Sequence, residues 1–161
     1  MNKRFVIIRH AIASDFEIEK KDFDRSLQKV GIEDAKLMGK KLLSYGLIPD
    51  RIVASASLRT QQTAKLIADS LGYKGEIHSI DKLYNASEIV IEENLNALSE
   101  DCTTVFLIAH NPGVSQFVTD ISGQDLYINM APCSIAVFES TAEKWFLLDK
   151  NNTSLIKFDA P

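Results

Sequence analysis

The sequence predicts an α/β fold with three layers, in which helices cover both faces of a mostly parallel central sheet. Short apolar runs that are typical of buried strands alternate along the chain with stretches whose apolar residues recur at helical spacing. The clearest examples are the strand-like run at 103–109 and the helical pattern at 114–121 that follows it. A length of 161 residues suits one domain, so we expect a single domain over residues 1–161.

The remaining elements are predicted from the same two patterns, with a loop at 11–26. Apolar runs predict strands at 5–8, 51–55, 76–80 and 103–109, the last at the centre of the sheet. Helical spacing predicts helices at 31–45, 58–71, 87–98 and 114–121. Residues 134–138 and 145–148 predict two final strands joined by a hairpin, where one antiparallel strand enters the sheet, and a short segment at 155–158 follows.

Composition and charge exclude several classes of function. A net charge of −4 argues against a broad basic surface for nucleic acid or anionic lipid. Cys102 and Cys133 are too few for a disulfide scaffold and form no metal-spaced cluster, so we expect two reduced thiols. No segment approaches the roughly 18 apolar residues of a membrane span. We therefore expect a cytoplasmic monomer without a membrane or nucleic-acid partner.

Polar side chains follow three of the predicted strands. Arg9 and His10 end the first strand, Arg59 begins the helix after the second, and His110 and Asn111 end the central strand. Because ligands of open α/β sheets bind beyond the carboxyl ends of the strands, we expect these side chains to converge on one patch.

This combination of residue types suits a phosphoryl group. A guanidinium presents a planar fork of donors to phosphate oxygens, and the N-terminus of a helix favours an anion. A neutral imidazole is a competent nucleophile near neutral pH. Since arginine and histidine side chains can neutralise the phosphoryl charge, the pattern predicts no metal and no other cofactor.

Several segments resemble the histidine phosphatase superfamily. Residues 5–13, FVIIRHAIA, resemble its nucleophile strand, although Ala11 stands where many members have the glycine of an Arg-His-Gly motif. Residues 55–64 resemble its S-x-x-x-R-x-x-x-T-A motif, and residues 106–113, FLIAHNPG, resemble the segment with its second histidine. Residues 81–86 are similar to an L-Y-x-A segment of the small bacterial phosphohistidine phosphatase branch. The resemblance, which covers residues 5 to about 138, implies a phosphoglycerate-mutase-like fold.

The resemblance also implies roles for individual residues. His10 would attack the phosphorus and become phosphohistidine, while Arg9 and Arg59 would bind the phosphate. His110 would complete the pocket and stabilise the transferring phosphoryl group, and Asn111 would add its backbone N–H. The third histidine, His78, is expected to have no catalytic role.

The loop after the nucleophile segment resembles the branch's D-x-x-R-P-L-T-x-x-G segment, with Ser26 and Gln28 as departures. Arg25 in this loop is either a third anion ligand or a plain surface arginine. Larger superfamily members place an acidic general acid after the third strand, where this chain reads Leu-Tyr-Asn at 83–85. Asp22 and Glu88 are the candidates, and we prefer Asp22 because its loop directly follows the nucleophile segment.

The resemblance implies a metal-independent phosphatase that acts on phosphohistidine in a partner protein. The short chain leaves little room for the cap that larger relatives place over small substrates. One alternative is a phosphatase of a small phosphoester such as a sugar phosphate. Another is a phosphate-binding or scaffold module without catalysis, since a fold alone does not fix function.

Overall fold

A six-stranded sheet forms the centre of the fold in the structure, a computed structural model that describes all residues from 1 to 161. Its strands are β1 (Lys3–Arg9), β2 (Arg51–Ser55), β3 (Ile77–Ile80), β4 (Thr104–Ala109), β5 (Ile135–Ser140) and β6 (Thr153–Asp159). Their order across the sheet is β3-β2-β4-β1-β5-β6. Only β5 runs against the others, because it pairs antiparallel with both β1 and β6. The predicted mixed sheet with one antiparallel strand is therefore confirmed.

Four helices cover the two faces of this sheet, as predicted. They are α1 (Lys29–Ser44), α2 (Leu58–Leu71), α3 (Glu88–Asn96) and α4 (Gly113–Ser122). Successive residues of β1 enter opposite cores: Phe5 packs on the α3–α4 side and Val6 on the α1–α2 side. Because both faces are buried, the central strands are apolar without alternation. None of the four helices is long and apolar enough to cross a membrane.

The predicted strand at 145–148 is wrong. Trp145–Leu147 forms a short 3-10 helix, and the strand that pairs with β5 is β6, which contains the short segment predicted at 155–158. The buried Trp145 indole N–H donates to the Cys102 carbonyl oxygen at 3.0 Å, while Phe146 is exposed. This long-range contact fixes a compact turn, and an apolar run of four residues cannot reveal it.

The order of the central strands determines what lies at their carboxyl edge. Strands β2, β4 and β1 are parallel neighbours, with Ala54 opposite Ile108 and Ala109 opposite Arg9. The residues that follow these three strands therefore emerge beside one another, in front of the N-termini of α2 and α4.

Gly113 sets how closely α4 approaches this edge. It is the first residue of α4, and a Cβ atom at this position would lie 2.0 Å from the backbone oxygen of Ala86. Such a separation is far below van der Waals contact, and a backbone oxygen cannot rotate away as the end of a side chain can. The N-terminus of α4 therefore packs directly on the segment that precedes α3.

We expect Gly113→Ala to lower the free energy of unfolding by about 1–3 kcal/mol, because the added methyl group forces α4 away from the segment before α3. Chemical denaturation measured by circular dichroism checks this value. Asp120→Ala, at an exposed position of the same helix, is the control and should change stability much less. Equal stabilities of the two variants would contradict the close approach at Gly113.

Candidate active site

Two histidines lie side by side at the carboxyl edge of the sheet. His10 follows β1 and His110 follows β4, and the centroids of their rings are 5.3 Å apart. Backbone contacts fix the chain at His10, because the Cys133 N–H donates to the carbonyl oxygens of both Arg9 and His10 at 3.1 Å. The structure thus brings together the two histidines that the sequence places after adjacent strands.

Hydrogen bonding defines the tautomer of His10. Its Nδ1 lies 2.7 Å from the carbonyl oxygen of Ala11, and since a carbonyl only accepts, Nδ1 carries the hydrogen. The other nitrogen, Nε2, then keeps its lone pair and faces Nε of Arg59 at 3.4 Å. Burial, together with the charges of Arg59 and Arg9, lowers the pKa of His10 from 6.5 to about 4. At neutral pH, Nε2 therefore has the free lone pair that a nucleophile needs.

His110 is also neutral and is almost fully buried. Its Nδ1 lies 3.3 Å from an Arg59 terminal nitrogen, which can only donate, so Nδ1 accepts and Nε2–H donates to Ser55 Oγ at 2.7 Å. Burial, followed by the neighbouring His10 and Arg59, lowers the pKa of His110 to about 3. Ser55, the last residue of β2, thereby orients a histidine that follows β4.

Arg59 contacts both histidines and Asp22. Its side chain comes from the first turn of α2 and lies between the two histidines, with Arg59 only 4% exposed. The hydroxyl of Thr63, one turn later, donates to the Arg59 backbone oxygen at 2.8 Å and accepts the Ala11 N–H at 3.1 Å. One threonine thus links the start of α2 to the segment that carries His10.

Asp22 is the anionic partner of two arginines. One carboxylate oxygen accepts from Arg25 at 2.8 Å, and the other accepts from Arg59 at 3.1 Å and from the Tyr84 hydroxyl at 2.6 Å. The Tyr84 hydrogen bond, with those of Arg25 and Arg59, lowers the pKa of Asp22 to about 2. A general acid must hold a proton at working pH, so these contacts argue against the expected proton-donor role of Asp22. The other candidate, Glu88, begins α3 and lines a cleft with Pro112 and Gln116.

Arg25 belongs to the same network and is not a plain surface arginine. Its Nε donates to the Ser14 carbonyl oxygen at 2.7 Å, and a terminal nitrogen pairs with Asp22. Arg25 therefore shares its carboxylate partner with Arg59. Whether it also binds the anion remains a prediction.

Arg9 and Asn111 meet at one backbone oxygen on the other side of the site. Both side chains donate to the Met130 carbonyl at 3.0 Å. Nε of Arg9 is buried without a hydrogen-bond partner, and burial lowers the pKa of its guanidinium. Arg9 therefore keeps one buried N–H donor that no protein group accepts. The predicted anion contact of the Asn111 backbone N–H remains a prediction.

Sequence reasoning missed Tyr84 and did not assign roles to Ser55 or Thr63. All three lie in segments that resemble family motifs, so the signal was present, but a motif does not state which contact a residue makes. The Tyr84 ring packs edge-on against Phe23 and His110, at centroid distances of 5.1 and 5.6 Å.

His78 lies within β3, opposite Val53. No group of three or more histidine, cysteine or acidic side chains is arranged to hold a metal ion.

Comparison with known proteins agrees with this geometry. A family model described as "Histidine phosphatase superfamily (branch 1)" matches residues 5–89. An uncharacterized chloroplast protein of Arabidopsis thaliana is 27% identical over 90% of this chain and 70% of its own length. The SixA structure from Agrobacterium tumefaciens has a TM-score of 0.86 at 25% identity and covers 99% of this chain and 98% of its own. A protein histidine phosphatase SixA complexed with tungstate has a TM-score of 0.81 at 23% identity, with coverage of 98% and 97%.

The depressed histidine pKa values predict how stability depends on pH. Unfolding returns the pKa of His10 and His110 from about 4 and about 3 to the ordinary 6.5. Between these values the unfolded chain binds more protons, so the free energy of unfolding should fall as the pH drops from about 6.5 towards 4. Each histidine contributes a slope of at most about 1.4 kcal/mol per pH unit.

Urea unfolding at a series of pH values measures this slope. The variant His110→Asn should have a shallower slope than the wild type, since it lacks one of the two groups. His78→Asn is the matched control for the loss of a histidine. A wild-type slope that His110→Asn leaves unchanged would show that His110 does not titrate as the buried contacts require.

Proposed function

The chain belongs to the histidine phosphatase superfamily and is a phosphatase, and we propose that its substrate is phosphohistidine in a partner protein. In this proposal the enzyme works as a cytoplasmic, single-domain monomer, without a metal ion, through a covalent phosphohistidine on His10. The observation that carries the proposal is the unprotonated Nε2 of His10, which faces Arg59 beside His110. The likeness to SixA structures over nearly the whole chain supports the phosphohistidine substrate.

In the first step, Nε2 of His10 attacks phosphorus. The new N–P bond forms while the P–N bond of the substrate breaks, and the departing imidazole takes that electron pair. Because Nδ1–H of His10 donates to the Ala11 carbonyl, the positive charge that develops on the ring is stabilised by this acceptor. Arg9, Arg59 and Arg25 neutralise the phosphoryl oxygens.

In the second step, water attacks the phosphohistidine. Its oxygen bonds to phosphorus, the bond to Nε2 breaks, and His10 recovers its lone pair as inorganic phosphate and a proton are released. The buried Arg59 and His110 face the transferred group in both steps, so no side chain has to move between them. One preorganised site therefore serves both half-reactions.

The protonation state of the site favours a nitrogen leaving group over an alcohol. An alkoxide needs a proton as it departs. Asp22 is ionised among Tyr84, Arg25 and Arg59, and a carboxyl group that leaves these donors returns only towards its ordinary pKa of 3.8, so in neither position does it hold a proton at neutral pH. The imidazole of a phosphohistidine can be protonated from solvent at its other ring nitrogen before the P–N bond breaks, so it departs as a neutral imidazole. A phosphohistidine substrate is therefore compatible with a site in which no protonated carboxyl group touches the histidines.

Trapping of the covalent intermediate tests the role of His10. We expect a brief reaction with a labelled phosphodonor to leave an acid-labile, base-stable phosphate on His10. His10→Ala should carry no label and should lose activity by roughly a thousandfold or more, since no other nucleophile is in place. Mass spectrometry of the quenched protein locates the phosphate.

The control for this experiment is His78→Ala, which removes the histidine of β3 and should retain both label and turnover. Label that persists at full level in His10→Ala would contradict the proposed nucleophile. Absence of label together with absence of hydrolysis of any phosphorylated compound would favour the phosphate-binding or scaffold module instead.

A substrate panel tests the leaving group. With EDTA present, kcat/KM for a phosphohistidine peptide should exceed that for sugar phosphates by roughly a hundredfold or more. The ester reaction lacks a general acid, and a positioned general acid accelerates a reaction by about 10²–10⁴-fold. Release of inorganic phosphate measures both rates. Faster turnover of a sugar phosphate would favour the small-phosphoester phosphatase, and loss of activity with EDTA would contradict metal independence.

A further inference from the structure

The carboxylate of Asp22 accepts the hydrogen bonds that a bound anion would accept. Its carboxylate accepts three hydrogen bonds from side chains of three separate segments, donated by Arg25, Arg59 and Tyr84. The first two donors are the guanidinium groups that the proposed function assigns to the phosphoryl oxygens. The carboxylate therefore occupies donors that the substrate needs.

The buried positive charge of Arg59 requires a negatively charged partner close by. A guanidinium that is 4% exposed has lost most of its hydration, and a buried charge without a partner is strongly unfavourable. Asp22 is the acidic partner of Arg59, and the second bond between these residues runs from Arg59 to the Asp22 backbone oxygen at 2.8 Å. In the free enzyme, Asp22 thus supplies the negative charge that a phosphoryl group would supply in the complex.

The shape of the site agrees with this interpretation. The largest cavity, of about 450 Å³, lies along α2 and is lined by residues such as Ile32, Lys65 and Ile77. None of the cavities in the structure is lined by His10, His110 or Arg59. The Asp22 carboxylate bonds to Arg59, which contacts both histidines, and to Tyr84, whose ring packs against His110.

We propose that Asp22 is a built-in competitor of the phosphoryl group, and that substrate binding displaces its carboxylate from Arg59 and Arg25. This inference rests on the proposed function, because it takes the two arginines as phosphate ligands. The displaced carboxylate returns when phosphate leaves, so Asp22 weakens the binding of the product and helps to release it. Asp22 is then a specificity-determining residue, since a ligand must outcompete a carboxylate that three donors hold.

The matched pair Asp22→Asn and Asp24→Asn tests the proposal. Both variants remove one negative charge from the same 3-10 helix (Asp22–Asp24), but Asp24 is exposed and pairs with no cation. Calorimetric titration with inorganic phosphate at pH 7.5 should give a dissociation constant at least about fivefold lower for Asp22→Asn than for the wild type. The constant for Asp24→Asn should stay within about twofold of the wild type.

A third variant separates competition from a general change in charge. Tyr84→Phe removes one donor to the Asp22 carboxylate and keeps every charge, so phosphate should bind more tightly than to the wild type, by a smaller factor than for Asp22→Asn. This variant also keeps the proposal testable if Asp22→Asn fails to fold. Arg59→Ala should abolish the binding in each case, which shows that the phosphate occupies this site.

Weaker phosphate binding by Asp22→Asn, or binding equal to that of Asp24→Asn, would overturn the proposal, because Asp22 would then position the arginines without competing. Absence of measurable binding by the wild type and by every variant would overturn it too. Failure of the proposed function appears elsewhere, as the absence of label on His10 and of turnover. The two failures are therefore distinguishable.

Discussion

The buried guanidinium of Arg59 is the feature on which the site depends. It contacts Nε2 of His10 and Nδ1 of His110, and both atoms are acceptors because the opposite ring nitrogens donate to Ala11 and Ser55. A fixed positive charge beside two imidazoles opposes their protonation, so it helps to keep both histidines neutral at physiological pH. The same charge attracts an anion, and in the free enzyme that anion is the Asp22 carboxylate.

The order of the strands and the start of α2 position this charge. Because β2, β4 and β1 are neighbours, Ser55, His110 and His10 follow strands that end at the same edge. Each strand is an uninterrupted apolar run, since it is buried on both faces, and this property made the edge predictable from the sequence. Arg59 belongs to the first turn of the helix after β2, so helical spacing alone places it near the edge.

The parts that the sequence did not reveal are those fixed by contacts distant along the chain. Trp145 forms a 3-10 turn because its indole donates a hydrogen bond to Cys102, 43 residues away. An apolar pattern in the local sequence cannot indicate a bond to so distant a residue. Likewise, the ionised state of Asp22 depends on Tyr84, 62 residues later in the chain. A pattern of residue types predicts which groups approach an edge of the sheet, whereas their protonation depends on which atoms finally touch.

A bound phosphoryl group would change the charges that act on the two histidines. A bound phosphoryl dianion neutralises the guanidinium charges that, after burial, depress the histidine pKa values, and it adds negative charge of its own. Both effects oppose the lowering of the His110 pKa, which burial causes first and to which His10 and Arg59 add. His10 cannot respond in the same way while Nε2 is bonded to phosphorus. The same bound group therefore acts differently on two histidines that are both neutral in the free enzyme.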